Sequence, residues 1–503
     1  MTRNTGLPGT YSSSWAVRCI VLLSAVFMIF TPSLLGQTFK STTYQTGSQT
    51  AGIQEAIDAA AKAGGGTVQI PAGTFVLHAI AGHPAIALRS SVNVVGAGAD
   101  STILKLEANS KVSPSVIANQ NYNNPDGGAP DHDITLQGFT IDGAASDQVI
   151  HETQLTRAIP VAGQQPLVLQ SAEGVSLDAL IRVDPGPNEE IVPVFKASSG
   201  NFEALFMRPH PAGASVVVLR DRLHGLALVG AQNVTVQDVT IKNINMDGIY
   251  LANSIDPNRR RTYCKKINIQ HSNFIACHRN GISVIDAEDV TIAGNKFYDI
   301  TGDPGAAVDI EPNYPEEHGN RIAIRDNMAH DCYLGFVLSL QNSGPASENF
   351  RGDTVTGNDV VATLRGQGIY VGAHQAGVLV SRNNVSGTAG DGIYVLGSSD
   401  IQVTDNKIVN PGRCHTQGNC NRPPTAVGIR LNGTIRNRVT GNMISDDQGA
   451  PTLLYGVEFV TTARGIGNSI QRNVVSHHDP AHGMVVHVTG NVGSNAISEN
   501  SKQ

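Results

Sequence analysis

The chain has 503 residues, of which 40% are hydrophobic, 5% aromatic and 15% charged, and its formal net charge is -7. That is enough apolar material for a large core, filled by aliphatic side chains rather than rings. The negative balance excludes an extended phosphate-binding surface, which needs clustered Lys and Arg; the one basic run, Arg259-Arg260-Arg261 before Lys265-Lys266, reads as a solvated loop.

At the N-terminus Arg3 and Arg18 precede the apolar run Cys19 to Phe30, and small residues follow from Ser33 to Gly36. This is the pattern of an export signal, so residues 1–36 are expected to be removed and the protein to act outside the cytoplasm, in the periplasm or the medium. No later stretch is apolar enough for a membrane span. Of the remaining cysteines, Cys264, Cys277, Cys332, Cys414 and Cys420, the last two flank a short Gly/Asn loop and are candidates for a disulfide in an oxidising compartment. No Cys-x-x-Cys spacing exists, and the group His477, His478, Asp479, His482 and His487 fits no metal signature, so no metal site is expected there.

Residues 50–63 carry the one good helical pattern, with Ile53, Ala56, Ile57 and Ala60 on one face and Gly64-Gly65-Gly66 as its stop. A strand and tight turn follow over Thr67 to Phe75, and Val92–Leu106 and Ile134–Ile141 read as first coils of a repeat, giving an N-terminal region over 37–146. The repeat lapses over 147–222, where short apolar runs alternate with Gly, Pro and Asn turns in the manner of a small antiparallel β insertion. Either a substrate-binding module beside a groove or a purely structural insertion fits that pattern.

From 223 to 503 the chain is organised by two recurrences. Ile/Val-x-x-Asn ends at Asn295, Asn327, Asn358, Asn383, Asn406, Asn442, Asn473 and Asn500, at spacings of 23 to 36 residues, the range of a solenoid. Beside it runs a small residue followed by alternating apolar positions, as in Gly248-Ile-Tyr-Leu251, Gly281-Ile-Ser-Val284 and Gly392-Ile-Tyr-Val395. Alternation over so few residues is the period of a half-buried strand. Short strands with Gly and Asn corners and no helical period predict an all-β fold, the coil of a parallel β-helix, in which inward Ile, Val and Leu stack between coils about 4.8 Å apart. Asn suits the corner because it tolerates left-handed conformations and can bond to the next Asn in a ladder.

This repeat, with the helix, triple glycine and Val-x-Ile-Pro-x-Gly-x-Phe of residues 68–75, resembles the right-handed parallel β-helix proteins of the pectin lyase-like superfamily, the polysaccharide lyases and polygalacturonases. The resemblance implies that the helix is a cap covering the apolar end of the first coil. It also implies a polysaccharide substrate. Asn245-Met-Asp247-Gly248-Ile249 resembles a polygalacturonase segment whose Asp is a catalytic acid, which would give Asp247 that role; the double Asp and Gly-His-Gly expected in the following coils are replaced by His278-Arg279-Asn280-Gly281 and Gly305-Ala306-Ala307.

In such a coil, equivalent outward positions align as columns. The column two residues after each small residue reads Tyr250, Ser283, Asp309, Val337, Tyr370, Tyr394, Arg430, Glu458. Tyr250, Tyr370 and Tyr394 could stack on sugar rings and Arg430 could hold an acidic sugar, although Tyr and Arg also pack on exposed strands. Asp309 and Glu311 lie two apart on one strand, roughly 6–7 Å between α-carbons, with Asp247 about 10 Å below. Carboxylates so placed can protonate a leaving oxygen and activate water, or hold Ca²⁺ against a uronate before elimination. His278 and Arg279, on the preceding turn, could serve as base or clamp.

The expectation is therefore a secreted enzyme cleaving glycosidic bonds in a uronate-containing polysaccharide, hydrolysis ahead of β-elimination. Asp309 and Glu311 are its acid and base, Asp247 assists, and no nucleic acid or membrane is a partner. The alternative is a carbohydrate-binding or surface-adhesion β-helix without catalysis.

Overall fold

The computed structural model describes residues 36–502 apart from 79, 124–128, 178, 199–200, 221–222, 256–260, 303–304, 341–349, 373–374, 413–425, 449–452, 461–465, 477–483 and 491–492. The export-signal reading, save Gly36, and the Cys414 and Cys420 pairing fall outside these residues, as do His477, His478, Asp479 and His482.

Three long parallel sheets of fourteen, twelve and thirteen strands take their strands in turn from each successive coil, so the chain winds as a right-handed parallel β-helix with one helix at its N-terminal end. The interior is one continuous stack of aliphatic side chains from Ile53 to Val475. Phe274 and Phe297 are its stacked rings, 4.8 Å apart. Each fully buried Ile, Leu or Val there contributes about 1.5–3 kcal/mol of transfer free energy, and identical places in adjacent coils repeat that contribution. The small residue opening each inward strand is a packing requirement. A Cβ on Gly281 would stand 2.4 Å from the Phe297 ring and 2.5 Å from the Ala307 carbonyl.

The helix spans Ile53–Lys62 and buries Ile53, Ala56, Ile57 and Ala60, the face expected from its spacing. Gly52 precedes it in a left-handed conformation, and Ser48 Oγ accepts the Gly52 N–H at 2.7 Å.

The asparagine ladder forms along one corner. In each rung Asn N–H and Nδ2 both donate to Oδ1 of the next Asn, as from Asn358 to Asn383 at 2.9 and 3.0 Å, while Nδ2 also donates to a carbonyl one coil back. The left-handed residue is not the Asn itself but the one before it: Asp326, Arg382, Asp405, Arg472 and Glu499 all have φ between 53° and 57°. The Asn is held at this corner by its amide, whose Nδ2 donates twice while its Oδ1 accepts twice, as at Asn358.

The stretch between the early coils and Gly225 folds as a six-stranded antiparallel sheet over Val149–Gln154, Gly163–Leu167, Leu180–Val183, Glu190–Ser198, Asn201–Phe206 and Ser215–Leu219. It has its own core, including Ile181, Val192, Phe206 and Val216. Cys264, Cys277 and Cys332 are free and buried, and burial pushes the Cys264 and Cys332 thiols up to about 12. No helix among the described residues is long and apolar enough to cross a membrane.

Candidate active site

Pairing in the twelve-stranded sheet is in register from coil to coil: Tyr250 opposes Ser283, Ser283 opposes Asp309, and the row continues through Val337, Tyr370, Tyr394 and Arg430 to Glu458. Residues far apart in the chain thus share one wall. His487 extends it beyond Glu458, while Ala227 and Ala118 lie below Tyr250.

This wall is less exposed than an outward column of acids suggests. Asp247 is fully buried, and Asp309 and Glu311 are 2% and 6% exposed. Below them, Ala118, Ala227, Val229, Ala252 and Ile285 form a small apolar cluster with Tyr122 and Tyr250.

Arg279 ties the acids together. Its Nε lies 3.4 Å from Asp247 Oδ1, and its Nη2 pairs with Glu311 Oε1. Asp247 Oδ1 also accepts the Asn280 N–H at 3.2 Å, and its Oδ2 stands 3.2 Å from His224 Nδ1, poorly aligned for a hydrogen bond. His224 in turn stacks flat on Tyr250, ring centres 4.4 Å apart. Asn280 Nδ2 donates to Ser283 Oγ at 2.9 Å, while its Oδ1 accepts the Ala306 N–H at 2.9 Å.

The environment splits the two aspartates. Burial works against ionising Asp247, yet Arg279 and His224 together hold its carboxyl below the usual range. At Asp309 burial dominates and the Asp247 charge adds to it, against Arg279 and Asn280, so the carboxyl is pushed up to about 7. Asp309 Oδ1, Asp247 Oδ2 and His224 Nδ1 are buried without a hydrogen-bond partner. Asp247 Oδ2 and His224 Nδ1 still face each other as an ion pair at 3.2 Å, so the atom left without any partner is Asp309 Oδ1, and a buried polar atom left unpaired costs about 1–3 kcal/mol. Burial and the Asp247 charge raise the Tyr250 phenol, and burial lowers the His278 imidazole to about 4.

Loops around the site are held by further acids. Asp286 accepts from His318 N–H and Nδ1, both at 2.8 Å, and Glu317 receives Asn253 Nδ2 at 3.0 Å and the Asn313 and Tyr314 amides. Arg261 bridges Asp286 and Glu317 at 3.3 and 3.0 Å. Asn245, two residues before Asp247, donates to the Ala145 and Arg220 carbonyls at 3.3 and 2.6 Å, pinning both ends of the antiparallel insertion beside the site.

Tyr370, Tyr394 and Arg430 lie further along the row, two to four coils beyond Asp309. Arg430 is not an open clamp: it makes two bonds to Asp391, at 2.6 and 3.1 Å, and pairs with Glu458. Arg279 is likewise engaged by two carboxylates, which alters the expectation of a guanidinium waiting for an acidic sugar. Among the described residues no group of three or more His, Cys, Asp or Glu could hold a metal ion. Sequence reasoning missed His224, which follows the insertion and belongs to no repeat, and Asn280, whose value as a ligand of Asp247 depends on the coil register.

The fold defines the class: this is a right-handed parallel β-helix protein. Residues 215–385 match the right handed beta helix region family. Residues 45–273 match the rhamnogalacturonase A/epimerase, pectate lyase-like family, and residues 316–479 the periplasmic copper-binding protein NosD family. Among curated proteins, alginate lyase 7 of Azotobacter vinelandii is 38% identical over 94 residues, 18% of this chain and a tenth of the relative's length. Among solved structures, the A-module of Azotobacter vinelandii mannuronan C-5 epimerase AlgE6 superposes with a TM-score of 0.60 at 16% identity, over 92% of this chain and 99% of that one. The AlgE4 A-module gives 0.55 at 15%, over 92% and 100%. A tailspike protein of E. coli bacteriophage HK620 gives 0.51 at 14%, over 92% and 78%. At these identities the structural likeness establishes the fold alone.

Proposed function

We propose that this protein is exported and hydrolyses glycosidic bonds in a polysaccharide, with Asp309 as the proton donor. The observation that carries this reading is the Asp309 carboxyl, buried with one oxygen unpartnered and raised to about 7. Such a group is about half protonated at neutral pH and can act as a general acid there. Asp247, held ionised beside His224 and Arg279, is the complementary base for water. Glu311 serves by fixing Arg279, a change from the acid and base pair of Asp309 and Glu311 expected above. Two coils separate Asp247 from Asp309, about 10 Å of backbone, a span compatible with the ~6.5–9.5 Å between carboxyls in hydrolysis with inversion.

A uronate-containing chain is the proposed substrate, supported by the similarity of a short stretch to an alginate lyase and by the match to the rhamnogalacturonase A/epimerase family. Elimination is the less favoured chemistry because it requires a cation to neutralise the uronate carboxylate. Arg279 is already shared between two acids, so Ca²⁺ would have to supply that charge.

Incubation with pectin, polygalacturonate, alginate and rhamnogalacturonan tests the reading. New reducing ends without unsaturated uronate support hydrolysis. Unsaturated ends identify a lyase and overturn it, and retention of a polysaccharide without products identifies a binding protein.

A further inference from the structure

The run Asp-Gly-Ile-Tyr occurs twice, at Asp247–Tyr250 and Asp391–Tyr394, and each copy opens an acid, arginine, acid chain across three coils. Both tyrosines stand in the same row, five coils apart. Each aspartate is buried and accepts a backbone N–H from the same place in the next coil, Asn280 at 3.2 Å in one case and Val427 at 3.0 Å in the other. Each then meets an arginine of that next coil, and the guanidinium reaches a second acid one coil further: Asp247, Arg279, Glu311 in the first copy and Asp391, Arg430, Glu458 in the second.

The differences are chemical. In the first copy the guanidinium comes from the turn, leaving the row to Ser283 and to Asp309 with its unpartnered oxygen. In the second Arg430 itself occupies the row, and Glu458 stands in the place of Asp309, paired to that arginine. Neither Asp391 nor Glu458 carries a buried oxygen without a partner. The second copy has instead a broader aromatic floor. Tyr370 and Tyr394 lie 5.5 Å apart at 53°, Arg430 sits 5.9 Å over the Tyr394 ring, and Asn432 Nδ2 donates to its phenol oxygen at 3.3 Å. Gly372 makes room for this floor, since a Cβ there would be 2.2 Å from the Tyr370 phenol oxygen.

We infer that the Asp391, Tyr394, Arg430 and Glu458 cluster, with Tyr370, is a second saccharide-binding site that holds the polysaccharide without cutting it. This rests on the reading of Asp309 as the centre of a polysaccharide-cleaving site. Pyranose rings offer apolar faces to the two tyrosines. Five coils put the two sites about 24 Å apart along the axis. A chain long enough to occupy both converts the second contact into an intramolecular one, whereas a short oligosaccharide fills one at a time. The protein therefore favours long chains.

The test compares Asp309→Asn protein with the same protein carrying Tyr370→Ala and Tyr394→Ala, on columns of immobilised pectin, polygalacturonate, alginate and rhamnogalacturonan. The expected result is polymer retention by Asp309→Asn that falls about tenfold with the two Ala substitutions and returns with Phe at both positions, which keeps the ring faces. In the otherwise native protein the Ala pair lowers the ratio of kcat/KM on polymer to that on trisaccharide by a similar factor. Retention equal in the Ala pair overturns the second site and leaves the Asp309 reading standing, and loss as great with Phe as with Ala overturns the stacking argument. Failure of the native protein to bind or cleave any of the four overturns the reading on which both rest.

Discussion

Two rows of polar side chains run along this solenoid, and they obey opposite rules. Along the corner from Asn295 to Asn500 each internal amide donates to the next Asn and to a carbonyl behind, so polar groups buried at 0–2% exposure, as at Asn358 and Asn473, are satisfied by repetition. Along the wall, from Tyr250 through Ser283 to Asp309, the residue type changes from coil to coil and the buried Asp309 Oδ1 is left without a hydrogen-bond partner. Repetition of one residue type stabilises the coil. Its interruption by acids, at a cost in stability, marks where chemistry is expected.

Breaking the wall has the largest expected consequence. Asp309→Asn removes the proton donor and should lower kcat on a cleaved polysaccharide by about 10²–10⁴, with the fold retained by circular dichroism. In the native protein the rate should fall as pH rises through about 7, because Asp309 then loses the proton it must give. Next in size, Arg279→Met leaves Asp247 and Glu311 buried without their shared cation, and chemical denaturation should register a loss of about 3–5 kcal/mol. Cutting the other row at its middle, Asn358→Ala, orphans the Asn327 amide and the Ile324 carbonyl that it serves. That should cost about 1–3 kcal/mol in the same assay, while the specific activity of the folded fraction is unchanged.

A pH titration sharpens the comparison. Folding raises the Asp309 pKa from an ordinary 3.8 to about 7, so between those values the native state keeps a proton that the unfolded chain has released. Stability from this group is full below the window and is lost as pH rises through about 7. Asn at 309 stays neutral throughout, so the stability of Asp309→Asn relative to the native protein should increase from pH 4 to pH 8, by about 4 kcal/mol.

What was legible in the sequence follows the same division. The ladder, the inward glycines and the row itself could be read because each repeats, and a repeat in a solenoid fixes position in space. The capping helix could be read from its four buried positions. Partnership could not. Arg279 and Arg430 looked like free cations because nothing in a linear spacing says that Asp247, Glu311, Asp391 and Glu458 close on them from coils before and after. The burial of Asp309 depends on what surrounds the row, and His224 enters where the antiparallel insertion rejoins the coil, outside any period. The recurrence of Asp-Gly-Ile-Tyr was visible as a turn signal, but the second cluster it marks required the register.

The protonation state of Asp309 bears the weight of this account, and infrared difference spectroscopy of the native protein against Asp309→Asn measures it without a substrate. The account predicts a protonated carboxyl band that belongs to Asp309 and disappears with a midpoint near pH 7. A midpoint close to 3.8, the ordinary value for an aspartate, would contradict it and remove the proton donor from the proposed site.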